Sequence, residues 1–505
     1  MSVSTCCPAS PSVSGSSGWI SGFSASLMPL SLLATRRWAE SGEKERFAKA
    51  YLPLRESSGS DLKRDSIRTD RRFARVRRRT TMINAEYGAT NFGAGKRFRL
   101  ILRESGVTRD MGGGEDGSQA VQIVDSIMMQ ALDTGTSDIH LQPERDQLKI
   151  RFRQDGQLND NGQLPPELAG NVIARLKLAA GMRIDENREP QDGRIDMEYA
   201  GRRLSARASC IPCLNGEKYV MRLLDPERMK VDLSRLGMPE DVLKKWSRAV
   251  QSPYGLILVT GPTGSGKTST LYASLQTLDA RVRNIVTVED PIEYEYDKNI
   301  AQVQVSEKMT FPRVMRTFLR QDPDVMLVGE MRDPESLGIG IQAGLTGHLV
   351  LSTLHTNNAI ETVGRMVDME AEPYLVSGVI VAILAQRLVR LNCNKCREAY
   401  RPLPDEMEVL KFTPEELEKA RFAKGKGCPE CRGSGYRGRI GVFELILGTP
   451  EFRAAVARNA NFAELQEVAR RQGYRTMIED GKAKILSGWT TPEEVIKAVY
   501  TQTVE

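Results

Sequence analysis

The chain is predicted to be an α/β protein built around an open, mostly parallel sheet, with a smaller mixed α/β module ahead of it. Three observations carry this. Four short, continuously apolar runs at 256–260, 285–288, 325–328 and 348–352 alternate with helical stretches, as buried parallel strands covered on both faces do. A glycine-rich turn follows the first run. Upstream, Leu148, Ile150 and Phe152 alternate with Lys149, Arg151 and Arg153, the period-two pattern of a half-buried strand.

A length of 505 residues implies about three or four compact units. With 40% hydrophobic and 27% charged residues, the composition is that of an ordinary globular protein. There is no run of 18 apolar residues, so no transmembrane helix is expected; the most apolar stretch, 374–384, reads as a buried helix. The net charge of +6 belongs to the front of the chain, where residues 1–117 carry 20 Lys/Arg against 12 Asp/Glu, while the remainder has 51 against 53. That distribution argues against a nucleic-acid partner for the body of the protein.

Residues 1–60 are rich in Ser, Gly and Pro, and 63–79 hold nine basic residues against Asp65 and Asp70. Such sequence buries too little apolar surface to offset chain entropy, so 1–117 is expected to be disordered. A signal peptide fits poorly, because the apolar stretch 27–33 is short, Pro29 interrupts it and Arg36 and Arg37 follow it. Met82 is an alternative start. Folded sequence is expected from near Gln119, with a helix at 121–132, a strand ending at the Asp155-Gly156 turn, a helix at 167–182, and strands around 203–208 and 218–224. These make an α/β N-terminal domain over 118–230. The parallel-sheet domain is placed at 231–390, a cysteine subdomain at 391–440 and a helical C-terminal domain at 441–505. In the last, Thr491-Pro492-Glu493-Glu494 reads as a helix start with a capping box.

Gly261-Pro262-Thr263-Gly264-Ser265-Gly266-Lys267-Thr268 matches G-x-x-x-x-G-K-[ST]. Glycines at these positions let successive N–H groups turn inward as an anion nest at a helix N-terminus. Lys267 reaches phosphate oxygens, and the Thr268 hydroxyl is placed to ligate Mg2+. From average usage, a chance match in such a chain arises about 0.02 times. About 60 residues on, 322–330 forms an apolar strand with the Glu330 carboxylate just past its end, positioned to hold the Mg2+ shell or polarise the attacking water.

Together these segments resemble the secretion and pilus-assembly ATPases, the hexameric motors of type II secretion and type IV pili. The resemblance runs from about Asp138 to Val499. It includes the segment from Thr287 through Glu289 and Glu293 to Glu295, similar to that family's acidic box, and 344–357 with His348 and His355, similar to its histidine box. Ser137-Asp138-Ile139-His140, 151–156 and Pro190-Gln191-Asp192-Gly193-Arg194 are similar to the signature of its second N-terminal domain. The resemblance implies a RecA-like ATPase domain behind a PAS-like N-terminal domain. It implies Glu289 as general base or metal-side carboxylate, Glu330 as the Walker B acid, and His348 and His355 as γ-phosphate sensors. Arg207 and Arg222 would act as arginine fingers delivered by the smaller domain, and Arg316 and Arg320 would lie at a subunit boundary. ATP and Mg2+ are the implied substrate and cofactor, and hydrolysis would be tied to domain closure.

Eight cysteines are too few for a disulfide scaffold, and six of them form three C-x-x-C pairs, usual for metal or redox sites in a reducing compartment, by default the cytoplasm. Cys393/Cys396 and Cys428/Cys431 suit a structural, tetrahedral Zn2+, and the family's secretion and extension branches carry such a tetracysteine insert where retraction motors lack it. Cys210 and Cys213 read as packing at a strand end. The implied partners are five further copies in a homo-hexamer and inner-membrane platform proteins, giving peripheral attachment at the cytoplasmic face. Residues 1–117, however, show little of the helical docking domain typical of the family. The rival readings are a DNA translocase or DNA-uptake ATPase on a related fold, and a nucleotide-binding scaffold without turnover.

Overall fold

The computed structural model describes residues 98–104, 107–110, 119–225, 232–296 and 299–500. Its elements run in chain order as β1 (Phe98–Glu104), β2 (Val107–Asp110), α1 (Gln119–Asp133), β3 (Asp138–Pro143), β4 (Leu148–Gln154), β5 (Gln157–Leu164), α2 (Pro166–Ala179), β6 (Gln191–Tyr199), β7 (Arg202–Cys213) and β8 (Gly216–Leu224). The strands form one antiparallel sheet in the order β2-β1-β6-β7-β8-β3-β4-β5. Its alternation is clean: Ile139, Leu141, Ile150, Phe152, Ile195, Met197, Ala206 and Met221 face α1 and α2 in a shared core, which leaves the intervening, largely charged positions on the opposite face. Asp155 and Gly156, joining β4 to β5, both have positive φ (47° and 86°), the conformation a two-residue hairpin turn requires.

The sheet starts earlier in the chain than the sequence implied. Residues 98–104, within the segment expected to be disordered, pair with β6. The alternation of Phe98 and Leu100, both buried, with Arg99 was masked by the basic stretch before it. Residues 1–97 lie outside the described residues, as does the expectation placed on them.

The second sheet begins after α3 (Glu240–Val250) with β9 (Gly255–Thr260), α4 (Lys267–Leu275), β10 (Ile285–Glu289), β11 (Ile300–Gln304), α5 (Phe311–Phe318), β12 (Val325–Val328), α6 (Pro334–Leu345), β13 (Leu349–Leu354), α7 (Ala359–Asp368), α8 (Pro373–Val379) and β14 (Ile380–Asn392). There follow β15 (Arg397–Ala399), α9 (Pro404–Leu410), α10 (Pro414–Lys419), β16 (Ala423–Gly425), β17 (Tyr436–Leu447), α11 (Pro450–Ala457), α12 (Phe462–Arg471), α13 (Met477–Leu486) and α14 (Pro492–Val499). Strand order is β11-β10-β12-β13-β9-β14-β17, parallel throughout except for the antiparallel β14–β17 edge. Successive residues of β9 feed two different cores, Leu256 and Leu258 on one side and Ile257 and Val259 on the other. Double coverage is why these strands read as unbroken apolar runs.

The run 374–384 is not one helix. It divides into α8 and the start of β14, which sits beside β9 with both faces covered; a short apolar run has no periodicity that separates the two states. The cysteine segment is therefore an insertion between paired strands β14 and β17, and the sheet extends past the boundary drawn at 390. The expected capping box at Thr491 is also replaced. Glu494 instead accepts from the backbone N–H of Arg390 (3.1 Å) and its guanidinium (2.6 Å), while the Thr491 hydroxyl bonds Tyr436 (2.9 Å). Tertiary partners outcompete the local cap.

Candidate functional site

At the C-terminal end of β9 the chain passes through Gly261, Gly264 and Gly266, with φ of 148°, 80° and 90°, and enters α4 at Lys267. The constraint at Gly261 comes from below. A Cβ there would lie 2.5 Å from Gln386 O and 2.6 Å from Ser265 Oγ. Gln386, on β14, staples the loop by donating to Ser265 O (2.7 Å) and accepting from Thr270 Oγ1 (2.7 Å). Ser265 Oγ is buried without a hydrogen-bond partner, an expensive state unless a ligand completes it. Lys267 Nζ donates to Gly261 O (2.8 Å) and Pro262 O (3.2 Å). Burial, with a contribution from Arg387, lowers its ammonium to about 8 against the pull of Glu330. Thr268 is exposed in the first turn of α4.

Parallel strands bring further groups to the same end of the sheet. Glu330, just beyond β12, pairs with Arg332 (2.6 Å) and lies 3.6 Å from His355 Nε2, just beyond β13. Burial depresses the His355 imidazolium, and Lys267 and Arg332 add to the effect against Glu330. Lys267, Glu330 and His355 thus share one electrostatic environment. Thr356, next to His355, bonds the Thr260 hydroxyl at the end of β9. A cavity of about 450 Å³ opens beside the loop between its 262–265 arm, Arg387 and Leu388 of β14, and Lys497 and Ala498 of α14.

Glu289, the last residue of β10 and only 3% exposed, is held by three donors. Tyr272 OH bonds Oε2, while Thr287 Oγ1 (2.6 Å) and Gln302 Nε2 (3.1 Å) bond Oε1. Sequence reasoning missed these donors. Thr287 stands two residues before Glu289 on its strand, and Gln302 is its register partner on β11, so strand periodicity had the signal to find both. Tyr272, on a helix, had none, and neither did Lys497, more than 200 residues from the loop it faces.

Arg207 and Arg222 are cross-strand partners, in a row that continues through Arg194 on one side and Asp138 and Arg153 on the other. Arg207 donates to Glu293 Oε1 (3.2 Å) and Ile292 O (3.2 Å) in the loop after β10, and Arg222 donates to Asp138 (2.9 Å). Their bonds run to the acidic loop and within the small sheet, not to residues 261–268. His348 departs from expectation more plainly. It precedes β13 while His355 follows it, and six extended residues between them put the two roughly 20 Å apart. His348, hydrogen-bonded through Nδ1 to Ala343 O (3.0 Å), is therefore at the opposite end of the sheet from the loop and cannot sense a phosphate there. Arg316 pairs with exposed Glu335 and Arg320 donates to Arg316 O (2.9 Å) on the outer face of α5.

Cys393, Cys396, Cys428 and Cys431 place their Sγ atoms within 4.8 Å of one another. Three of the separations are 3.8 Å (Cys393–Cys428), 3.7 Å (Cys396–Cys431) and 3.6 Å (Cys428–Cys431), matching the ~3.8 Å edge of a tetrahedron with ~2.3 Å metal–sulfur bonds. Burial and its fellow thiols raise the Cys396 thiol to about 12, whereas the N–H groups of Cys428 and Gly435 and the neighbouring thiols overcome burial and bring Cys431 down to about 6, so the thiolate is favoured at Cys431 and not uniformly across the four. Cys210 and Cys213 stand apart from this cluster. Cys210 is buried and bonds Glu217, its thiol raised by burial to about 12.

The arrangement has relatives. A family described as "Type II/IV secretion system protein" matches residues 114–497. Type II secretion system protein E of Pseudomonas aeruginosa is 45% identical over 392 residues, 77% of either chain, and its namesake from Pectobacterium carotovorum is 41% identical over 454 residues, 89% of this chain and 90% of that one. Type II secretion system ATPase E of Vibrio cholerae is 41% identical over 402 residues, 79% of either chain. Among solved structures, the pilus retraction motor PilT with bound ADP aligns at a TM-score of 0.51 and 27% identity, covering 74% of this chain and 95% of PilT. The Legionella pneumophila ATPase DotB shares the fold, with a TM-score of 0.55 and 22% identity over 74% of this chain and 93% of DotB.

Proposed function

The chain belongs to the type II/IV secretion system protein family and is a secretion ATPase, and from that premise we propose that it hydrolyses Mg2+-bound ATP at the 261–268 loop to drive assembly of pilin-like subunits. The observation that carries the reading is the convergence of Lys267, Glu330 and His355 on a glycine loop whose Ser265 hydroxyl is buried and unpartnered. Inward N–H groups at a helix N-terminus bind anions. Lys267 exchanges its bonds to Gly261 O and Pro262 O for phosphate oxygens.

Phosphoryl transfer needs positioning and charge neutralisation above all. Thr268 and Glu330 are the groups that would hold Mg2+, which would neutralise phosphate charge when bound. Glu289 orients the attacking water and Glu330 fixes the far side of the site, with neutral His355 reporting on the γ-phosphate. Lys497 and Arg387 close the cavity on the other side of the loop. Arg207, tied to the acidic loop through Glu293, transmits a change at that loop to the small sheet, and closure would carry it and Arg222 toward the phosphates of their own or an adjacent site. A ring of six copies would turn such closures into a stroke.

The tetracysteine cluster fits Zn2+ as a structural crosslink of the insertion, with all four positions filled by protein. No described helix is long and apolar enough to cross a membrane, and the reading places the motor in the cytoplasm, attached through platform proteins of the inner membrane. Equilibrium binding of a fluorescent ATP analogue with Mg2+ tests the site: it is retained by the native chain and lost in Lys267→Ala, and equal binding by both would refute the assignment.

A further inference from the structure

We infer that the Tyr272 hydroxyl positions the Glu289 carboxylate for the hydrolytic step. The inference rests on the reading of Glu289 as the group that orients water. Tyr272 lies on α4, the helix whose N-terminus forms the phosphate loop, and is 1% exposed. Its hydroxyl donates to Glu289 Oε2 and accepts the backbone N–H of Glu293 (3.3 Å). Both hydrogen-bonding roles are therefore filled, and the bond it makes leaves one carboxylate oxygen to Tyr272 while Thr287 and Gln302 take the other.

The ring is fixed as firmly as the hydroxyl. Tyr294 and Tyr296 pack against it at centroid distances of 6.1 and 5.2 Å, the latter edge-on, so the donor cannot swing away without breaking the aromatic cluster. A donor chain from Glu293 N–H through Tyr272 OH to Glu289 polarises in one direction, which strengthens the last bond and fixes the orientation of the carboxylate. Glu293 also holds Arg207 through its side chain. One hydroxyl on the helix that starts at Lys267 thus touches both the Glu289 carboxylate, read above as the group that orients water, and the backbone of the residue that engages the small sheet.

Tyr272→Phe keeps the ring and removes only the hydroxyl. In the assembled full-length protein, with single-turnover ATP hydrolysis as the readout, the rate falls about tenfold with ATP affinity within about twofold. The loss falls on the hydrolytic step and not on KM for ATP, the split expected of a group that positions a carboxylate without binding the nucleotide. Incorporation of 3,5-difluorotyrosine at 272, a stronger donor that keeps the ring, changes the single-turnover rate at unaltered ATP affinity and serves as the second measurement should the phenylalanine variant melt early. An unchanged rate in both would overturn the inference. Glu289→Gln separates it from its premise: native hydrolysis there removes the premise, whereas an inactive Glu289→Gln beside an unaltered Tyr272→Phe removes only the positioning role.

Discussion

Lys267 Nζ sits 2.8 Å from Gly261 O, so the cation that begins α4 is bonded back onto the first residue of the loop that precedes it. Burial brings this ammonium from its ordinary value of 10.5 down to about 8. Above about pH 8 the free protein loses that proton, while phosphate oxygens in the complex hold it in place. ATP binding therefore takes up a proton and weakens as pH rises past 8, by up to about tenfold per unit, with no contribution from this group below that pH. Calorimetry in buffers of different ionisation enthalpy at pH 7 and 9 checks it; equal proton uptake at both would contradict it.

Two glycines of the loop separate steric from conformational demand. At Gly261 an added Cβ meets Gln386 O and Ser265 Oγ at 2.5–2.6 Å, whereas at Gly264 nothing lies within 4 Å and only the positive φ of 80° opposes it. Gly264→Ala should weaken ATP binding no more than about tenfold, in line with roughly 1 kcal/mol of left-handed backbone strain. Gly261→Ala should abolish it, because the backbone of β14 cannot give way. Titration with a fluorescent nucleotide distinguishes them, and equal losses would mean that the Gln386 floor is not what constrains the loop.

Arg207 and Glu293 form an ion pair between the small sheet and the acidic loop, with 31% and 26% of their side chains exposed. At that exposure the pair contributes about 1 kcal/mol at most to stability, so its effect should appear in turnover. Arg207→Glu and Glu293→Arg each slow steady-state hydrolysis, and the double exchange recovers part of the loss. An arginine that worked solely by touching the nucleotide would not be rescued, and a double variant as slow as Arg207→Glu would show that.

The cysteine cluster should carry one zinc per chain, measured by native mass spectrometry. Chelation or Cys428→Ser should lower the melting temperature by roughly 5–10 °C, since metal binding is folding energy for a short insertion held by β14 and β17. ATP affinity should change little, as Cys428 lies in the insertion and not at the loop. A chain that purifies metal-free and melts at the same temperature would remove the metal from the account.

Legibility followed the range of the interactions. The glycine turn at 261–268 before a helix, a carboxylate just past β12 and the gathering of four cysteines were legible as geometry because each is written in a short stretch with its own spacing. The parallel strands were readable because double burial leaves an unbroken apolar run. By contrast, α8 and β14 share one apolar run whose division is decided by pairing with β9. The Thr491–Glu494 capping box gave way to tertiary partners, Glu494 to Arg390 and Thr491 to Tyr436, each more than 50 residues distant in the chain. His348 and His355 fell in one motif, yet a strand between them sends them to opposite ends of the sheet. Tyr272 and Gln386, which fix Glu289 and the loop, carry no local signature because their partners arrive through tertiary packing.

Phosphoryl transfer at the loop ending in Lys267 is the proposed step on which the roles of Glu289, Glu330 and Tyr272 all depend. Phosphate release by the assembled full-length protein, measured at saturating ATP with and without Mg2+, tests it most directly. Hydrolysis should require Mg2+ and fall at least about a hundredfold in Lys267→Ala; an assembled native protein that turns over no faster than that variant would contradict it.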